Sequence, residues 1–138
     1  MHLMKPLMTM IKKDLLLVGN LLFKEYPSTI IYSFGKNKDI YIVEWVDIDL
    51  SSGVDKCFIY KTSKDNLSKY FEDKISHREL ILGCENGTVV FFDGELEHPE
   101  NVKMDDVKLI NEDYLPSQKS FFDKKDTDDL DEIISFFE

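Results

Sequence analysis

The chain has 138 residues, of which 43% are hydrophobic and 12% aromatic, a size and composition that fit one domain with a substantial core. The net charge at pH 7 is −10, and all of the excess lies in residues 93–138, which hold five lysines and fifteen acidic residues. This asymmetry argues against nucleic acid or an anionic membrane as the direct ligand of that region, and it favours a basic partner surface.

No apolar run approaches the roughly 18 residues of a membrane span. The apolar pattern of residues 1–10 is interrupted by Lys5 and Pro6, so it lacks the continuous hydrophobic stretch of a signal peptide. We therefore expect a cytoplasmic protein that does not bind membranes. The two cysteines, Cys57 and Cys84, are too few for a disulfide framework or a zinc site, and no cofactor is expected.

Strand signals dominate the first part of the chain. Residues 15–26 predict a first strand with a bulge or a break at Gly19-Asn20. Pro27-Ser28 predicts a turn, and residues 29–34 predict a second strand. A hairpin-length loop at residues 35–38 then leads into the densest β signal of the sequence.

That signal is the run Asp39–Asp47, which contains the only tryptophan. Alternation places Tyr41, Val43 and Trp45 on one face and Ile40, Ile42, Glu44 and Val46 on the other. Apolar residues on both faces predict an interior strand. Glu44 is the exception, because a buried carboxylate without a partner is costly. It is either a general acid or base, or, as we favour, it lies on a half-open face and pairs with a lysine of a neighbouring strand.

After a polar loop, residues 56–62 predict a fourth strand, in which Cys57 resembles a small buried hydrophobic residue. Ser63 is a suitable N-cap for a short helix with Leu67, Tyr70 and Phe71 on one face. Ser76 to Glu79 matches a capping box and predicts a second helix ending at Gly83. A hairpin through Asn86-Gly87, pairing residues 79–84 with 88–92, is the alternative to this second helix.

Residues 88–92 predict a fifth strand in either case. An acidic loop is expected at Asp93–Pro99, and a short edge strand at residues 107–110. Residues 116–125 suggest a linker, and residues 127–138 an amphipathic helix that Asp126 or Thr127 can cap. The predicted fold is α+β: a bent antiparallel sheet of five to six strands with two short helices in residues 1–115, followed by the acidic segment 116–138 with its helix.

The order of elements in residues 22–92 resembles a family of small bacterial α+β domains of unknown function. The residues that carry the resemblance are Ile40–Asp47, the strand followed by Ser63 and a short helix, and Ile75–Leu80 before an aromatic strand. The resemblance covers about half of the chain and implies a fold but no activity.

Several clusters of carboxylates and histidines invite a metal-binding interpretation that their spacing does not support. Asp47, Asp49 and Asp55 flank one loop without a known ligand spacing, and the Glu95, Glu97, His98 and Glu100 cluster lies in a predicted mobile loop. An EF-hand starting at Asp126 would lack its central glycine and its final glutamate. His77 requires an orienting partner and a pocket to act as a base, and we expect it to be an exposed first-turn residue.

The C-terminal segment is the preferred candidate for a partner-binding site, because an acidic helix with an apolar stripe suits a hydrophobic groove with a basic rim. The predicted contact residues are Phe121, Phe122, Asp128, Asp129, Leu130, Asp131, Ile133, Ile134, Phe136 and Phe137. The alternative is that the stripe packs on the chain's own sheet. Both arrangements are compatible if the helix exposes one edge.

Three functional hypotheses follow. The first is a non-catalytic protein–protein interaction module, a small subunit or adaptor of a bacterial or phage assembly such as a defence or toxin–antitoxin system. The sequence contains no alanine and 16 lysines against one arginine, a composition that suggests an AT-rich bacterial or phage genome. The second is an acidic mimic of nucleic acid that inhibits a DNA- or RNA-binding protein. The third is an enzyme of unknown class that uses Glu44 or Asp47.

Overall fold

A computed structural model describes residues 15–23 and 27–138 of the chain. Six antiparallel strands form one open sheet in sequence order. They are β1 (Leu15–Phe23), β2 (Pro27–Phe34), β3 (Asp39–Asp49), β4 (Val54–Thr62), β5 (Thr88–Glu95) and β6 (His98–Asp106). Three α-helices are present within these ranges: α1 (Lys64–Phe71), α2 (His77–Leu82) and α3 (Leu130–Phe137). The predicted α+β class and the antiparallel meander are confirmed.

The two faces of β3 lead into two separate apolar clusters, as the alternation of its side chains predicts. The face of Ile40 and Ile42 packs with Phe58, with the three helices and with Phe122 in the larger cluster. The face of Val43 belongs to a smaller cluster, formed within the described residues by side chains of the sheet and of the β5–β6 turn. The helices therefore cover one face of the sheet, and Glu44 lies on that covered face.

Both predicted helix starts between β4 and β5 are confirmed. The Ser63 hydroxyl accepts a hydrogen bond from the Asn66 N–H and caps α1. Ser76 and Glu79 form the complete capping box of α2, and Gly83 follows the last helical residue. A hairpin between residues 79–84 and 88–92 does not form, because residues 79–82 belong to α2.

Several predicted boundaries were wrong. Pro27-Ser28 opens β2 instead of forming a turn, and residues 24–26 of the predicted first strand lie outside the described residues. The predicted acidic loop at Asp93–Pro99 is a tight hairpin, because β5 continues to Glu95 and β6 begins at His98. Residues 107–109 form a 3-10 turn and not a strand, since the edge strand has already ended at Asp106.

The segment 116–125 has no long element, but it is packed against the helices. Phe122 is buried between the rings of Tyr70 and Phe71, with centroid distances of 5.4 and 5.1 Å. The Ser120 carbonyl accepts a hydrogen bond of 2.7 Å from the His77 N–H at the first turn of α2. These contacts hold the connection to α3 across the covered face of the sheet.

The C-terminal helix docks on β1 at the bulge that Gly19-Asn20 predicts. The pairing of β1 with β2 shifts register on both sides of this pair. The Asn20 N–H donates to Asp129 Oδ2 at 2.8 Å, and the Thr127 hydroxyl donates to the Asn20 carbonyl. A bulge leaves backbone groups outside the strand ladder, and here the C-terminal segment supplies their hydrogen-bond partners.

The helix also begins later than the sequence predicts. It starts at Leu130, and its N-cap residue Asp129 makes no side-chain capping hydrogen bond. Thr127 accepts from the Asp129 N–H at 3.0 Å but is committed to β1, so neither Thr127 nor Asp126 is the cap residue. Docking on the bulge therefore replaces the local cap that the sequence suggested.

Candidate functional site

Glu44 is buried on the covered face of β3 with 3% of its surface exposed. The expectation of a half-open face with a lysine partner was wrong. Helix α2 passes over this part of the sheet, and the hydrogen-bond partners of Glu44 are two hydroxyl groups and an imidazole.

The three hydrogen-bond partners come from different elements. The Thr29 hydroxyl of β2 donates to Oε1 at 2.5 Å, and the Tyr60 hydroxyl of β4 donates to Oε2 at 2.7 Å. His77 Nε2, at the start of α2, lies 2.8 Å from the same Oε2. Strand register explains part of this arrangement, because Thr29 and Glu44 are paired residues of β2 and β3. Hydrogen bonds to a buried carboxylate compensate for the loss of water.

His77 is buried, with 7% of its surface exposed, so the expectation of an exposed first-turn residue was wrong. The capping box places the start of α2 as predicted, but the helix lies with this end against the sheet. The ring therefore points at Glu44 and lies 5.8 Å, between centroids, from Tyr70. The orienting partner that a functional histidine requires is thus present.

The two tyrosines nearest the carboxylate are held in their neutral form. Burial raises the pKa of Tyr60 well above 10, and the negative charge of Glu44 raises it further. Burial also raises the pKa of Tyr70, again with a contribution from Glu44. A neutral phenol is the hydrogen-bond donor that the carboxylate needs, so these shifts and the geometry agree.

Glu44 and His77 line a cleft of about 270 Å³ between β2, β3, α2 and residues 113–116. Its walls are mainly apolar and include Leu22, Ile81 and Leu115. The described residues hold no group of three or more His, Cys, Asp or Glu side chains that could bind a metal ion. The cleft is broadly open to solvent and combines apolar wall residues with one carboxylate–imidazole pair.

The other acidic clusters do not form comparable sites. Asp47 is exposed. Asp49 accepts from the Ser51 N–H and hydroxyl, and these hydrogen bonds lower the pKa of the Asp49 carboxyl. Around the β5–β6 hairpin, Glu95, Glu97 and His98 are all exposed. These side chains either stabilise a turn, as Asp49 does, or are exposed to solvent.

The predicted partner-binding residues divide into an inner and an outer set. Phe122, Ile133 and Phe137 are buried in the domain's own core, so they are not available as anchors for a partner. Phe136 and Leu130 are half-buried, and the ring of Phe136 lies under the Lys38 ammonium at 4.7 Å. Phe121 and Ile134 remain exposed, with 48% and 40% of their surface accessible.

The acidic residues of the C-terminal third lie mostly at the surface. Eleven of the fifteen carboxylates in residues 93–138 are exposed, and none of the fifteen is buried. Asp128, Asp131 and Glu132 are exposed at the start of α3, whereas Asp129 is half-buried and bound to β1. The Glu112 carboxylate pairs with Arg78 at 2.7 Å, and this hydrogen bond lowers the pKa of Glu112.

The sequence singled out Glu44 and His77 as separate candidates, but it did not predict that they form one cluster with Thr29 and Tyr60. The signal was present, because a glutamate on the covered face of an interior strand requires a polar partner from a neighbouring element. The capping box fixed where α2 begins, but sequence alone does not fix which side of the helix end contacts the sheet.

The comparisons with known proteins give no further assignment: no family model matches the chain, and neither the curated proteins nor the solved structures contain a match. The resemblance of residues 22–92 to small bacterial α+β domains stays a prediction. Among the described residues, no helix has the length and apolar character needed to cross a lipid bilayer.

Proposed function

We propose that the chain is a non-catalytic interaction module whose acidic C-terminal third binds a protein with a basic surface. The observation that carries this proposal is the separation of charge: residues 93–138 hold the entire net charge of −10, and most of their carboxylates are exposed. A surface of one sign attracts a partner of the opposite sign and speeds their encounter.

In this proposal the contact surface is smaller than the set predicted from the sequence, because the docked position of α3 buries part of that set. Ile133 faces the core, and the exposed surface offers Ile134 beside Asp131 and Glu132. Phe121 is a second exposed apolar side chain in the segment that leads to α3. An apolar anchor surrounded by charges is a common arrangement at protein interfaces. The partner would therefore present a basic rim around an apolar pocket.

A small subunit or adaptor of a bacterial or phage assembly, such as a defence or toxin–antitoxin system, is the biological role that fits this proposal. Fixed hydrogen bonds between Asp129, Thr127 and Asn20 keep the acidic helix on the domain. A pre-ordered helix does not lose further conformational freedom when a partner binds.

The test compares two triple variants that remove the same charge from different helices. Asp128→Asn with Asp131→Asn and Glu132→Gln neutralises the exposed start of α3. Asp65→Asn with Glu72→Gln and Asp73→Asn neutralises the same number of exposed carboxylates on and after α1. Proteins captured from the native host by each variant and by the natural chain are quantified by mass spectrometry.

A partner that binds the natural chain and the α1 variant but not the α3 variant supports the proposal. Recovery of the same proteins by both variants contradicts it. A captured nucleic-acid-binding protein that DNA or RNA displaces, with affinity falling steeply with salt, would instead favour an inhibitor that mimics nucleic acid. Loss of binding on Phe121→Ser or Ile134→Ser, with little salt dependence, would identify the apolar anchors as the main contact.

A further inference from the structure

The cleft above Glu44 has the chemistry of a ligand site that is distinct from the acidic surface. Its volume is about 270 Å³, and its apolar walls come from β1, α2 and the segment before the C-terminal connection. Its polar floor is the Glu44–His77 pair, in which both oxygens of Glu44 already have hydrogen-bond partners. The state of His77 decides what this floor offers to a ligand.

The hydrogen bonds around Glu44 determine the tautomer of the imidazole. Both oxygens of Glu44 accept from hydroxyl groups, Oε1 from Thr29 and Oε2 from Tyr60. An ionised carboxylate is only an acceptor, so His77 Nε2 must carry the hydrogen in their 2.8 Å contact. In a neutral imidazole, Nδ1 is then an acceptor with a free lone pair.

This lone pair is accessible to solvent. Within the described part of the chain, Nδ1 of His77 has no hydrogen-bond partner, and the only buried side-chain polar atom that lacks one is Oγ1 of Thr62. Nδ1 is therefore not fully buried, and about 9% of the surface of the His77 side chain is exposed. Because His77 lines the cleft, we expect this nitrogen to face the cleft.

We infer that the cleft binds a small molecule with an apolar body and a hydroxyl or amine group that donates a hydrogen bond to Nδ1 of His77. Asp113 on the rim favours a neutral or cationic molecule over an anion. A carboxylate that orients an imidazole so that its other nitrogen faces a ligand is a recurring arrangement in protein sites.

A purely structural role explains less of the geometry. Thr29 and Tyr60 already donate to both oxygens of Glu44, so packing alone does not require a third donor with an open nitrogen. Replacing a buried polar pair with apolar residues is often neutral or stabilising.

The first arm of the test measures the tautomer in the full chain. Two-bond ¹H–¹⁵N correlation spectra at neutral pH are expected to show His77 protonated at Nε2 and unprotonated at Nδ1, while exposed His98 serves as the internal reference. A His77 ring protonated at Nδ1 alone would overturn the inference, since no acceptor would then face the cleft.

The second arm uses benzyl alcohol and benzylamine as probes, with toluene as the matched compound that lacks a donor. Binding is followed through the His77 ring signals and the amide signals of residues 113–116. One hydrogen bond predicts that the alcohol binds about three- to tenfold more tightly than toluene.

Two variants separate binding from folding. His77→Phe is expected to bring the affinity ratio of benzyl alcohol to toluene close to one. Leu115→Trp leaves Glu44 and His77 unsubstituted but adds bulk to the wall of the cleft, and it is expected to abolish the binding of all three compounds. For the natural chain, the inference is overturned if the alcohol and toluene bind equally well, or if the alcohol and amine do not bind up to their solubility. For the variants, it is overturned if the affinity ratio is unchanged in His77→Phe or if binding is unaltered in Leu115→Trp.

Discussion

Glu44 and the carboxylates of the C-terminal third are acidic groups in opposite environments. Glu44 lies at the centre of the sheet, where three side chains from three elements donate to it. The carboxylates of residues 93–138 lie mostly at the surface, where water and dissolved ions surround them. The first group is defined by its short-range partners, whereas the second acts through its combined charge.

This difference predicts how each region responds to mutation and to salt. Removing one member of a buried hydrogen-bonded cluster leaves the others unsatisfied, which is costly and almost independent of salt. Removing an exposed carboxylate changes the stability of the fold little and changes long-range attraction more.

Glu44→Ala is expected to lower the free energy of unfolding by about 3–5 kcal/mol, because Thr29, Tyr60 and His77 lose their common acceptor. Urea unfolding followed by circular dichroism measures this change. Glu97→Ala, at an exposed turn position, is the control and should differ little from the natural chain. Equal effects of the two substitutions would contradict the buried cluster.

Ile133→Ala is expected to cost about 2–5 kcal/mol, since this side chain is fully buried in the core between α3 and the sheet. Ile134→Ala, one residue later on the exposed side of the helix, should change the free energy of unfolding by no more than about 0.5 kcal/mol. The pair measures whether α3 is docked on its own domain in solution. Similar small losses for both variants would mean that the helix is not packed on β1.

Tyr60→Phe is expected to cost about 1.5–3 kcal/mol, because it removes a hydrogen bond to a charged acceptor. It should also alter the alkaline pH dependence. The pKa of Tyr60 is raised in the folded state, so its contribution to stability is fully present below about pH 10 and is lost as the pH rises towards the folded pKa.

Urea unfolding at several pH values between 8 and 11 measures this dependence. Tyr60→Phe should lose stability less steeply above pH 10 than the natural chain does. Tyr114→Phe, at a half-buried position outside the cluster, should retain the steep loss. Parallel curves for the natural chain and Tyr60→Phe would show that the phenol is not held neutral by burial beside Glu44.

Gly19→Ala is expected to cost about 1–3 kcal/mol by overpacking the contact between β1 and α3. An added Cβ would lie 3.0 Å from Cβ of Asp129 and 3.1 Å from Cγ1 of Ile133, so α3 would have to shift. Gly53→Ala is not a matched control, because Gly53 has a positive φ. Combining Gly19→Ala with Ile133→Ala is a better control, since the shorter side chain should relieve part of the cost.

The smallest effect on stability is expected for the triple variant Asp128→Asn, Asp131→Asn and Glu132→Gln. These exposed carboxylates make no ion pair within the described residues, and each substitution should change the free energy of unfolding by within about 0.5 kcal/mol. Thermal unfolding at low and high salt measures the change. A large salt-sensitive loss of stability would show that the acidic surface is part of the folding interactions.

Regular parts of the fold were predictable from local patterns. Alternation gave the two faces of β3, the capping box gave the start of α2, and Gly19-Asn20 gave the bulge in β1. Each of these features depends on a few neighbouring residues, so sequence contains the information needed to place it.

Tertiary contacts were not predictable in the same way. His77 was expected to be exposed because first-turn residues commonly are, but the angle of α2 on the sheet buries it against Glu44. Local capping preferences predict that α3 begins at Thr127, whereas Thr127 and Asp129 bind the backbone of β1 more than 100 residues away. Such long-range hydrogen bonds override local preferences.

The decisive measurement is a double-mutant cycle between Glu44→Gln and His77→Gln, followed by urea unfolding at about 0.05 M and 1 M salt. It asks whether the Glu44–His77 interaction is insensitive to salt, unlike that of the exposed carboxylates of residues 93–138. The buried cluster predicts a coupling energy of at least about 1 kcal/mol that is nearly the same at both salt concentrations, because the pair is shielded from ions. A coupling energy near zero, or one that disappears at 1 M salt, would show that Glu44 and His77 do not form a buried hydrogen-bonded pair.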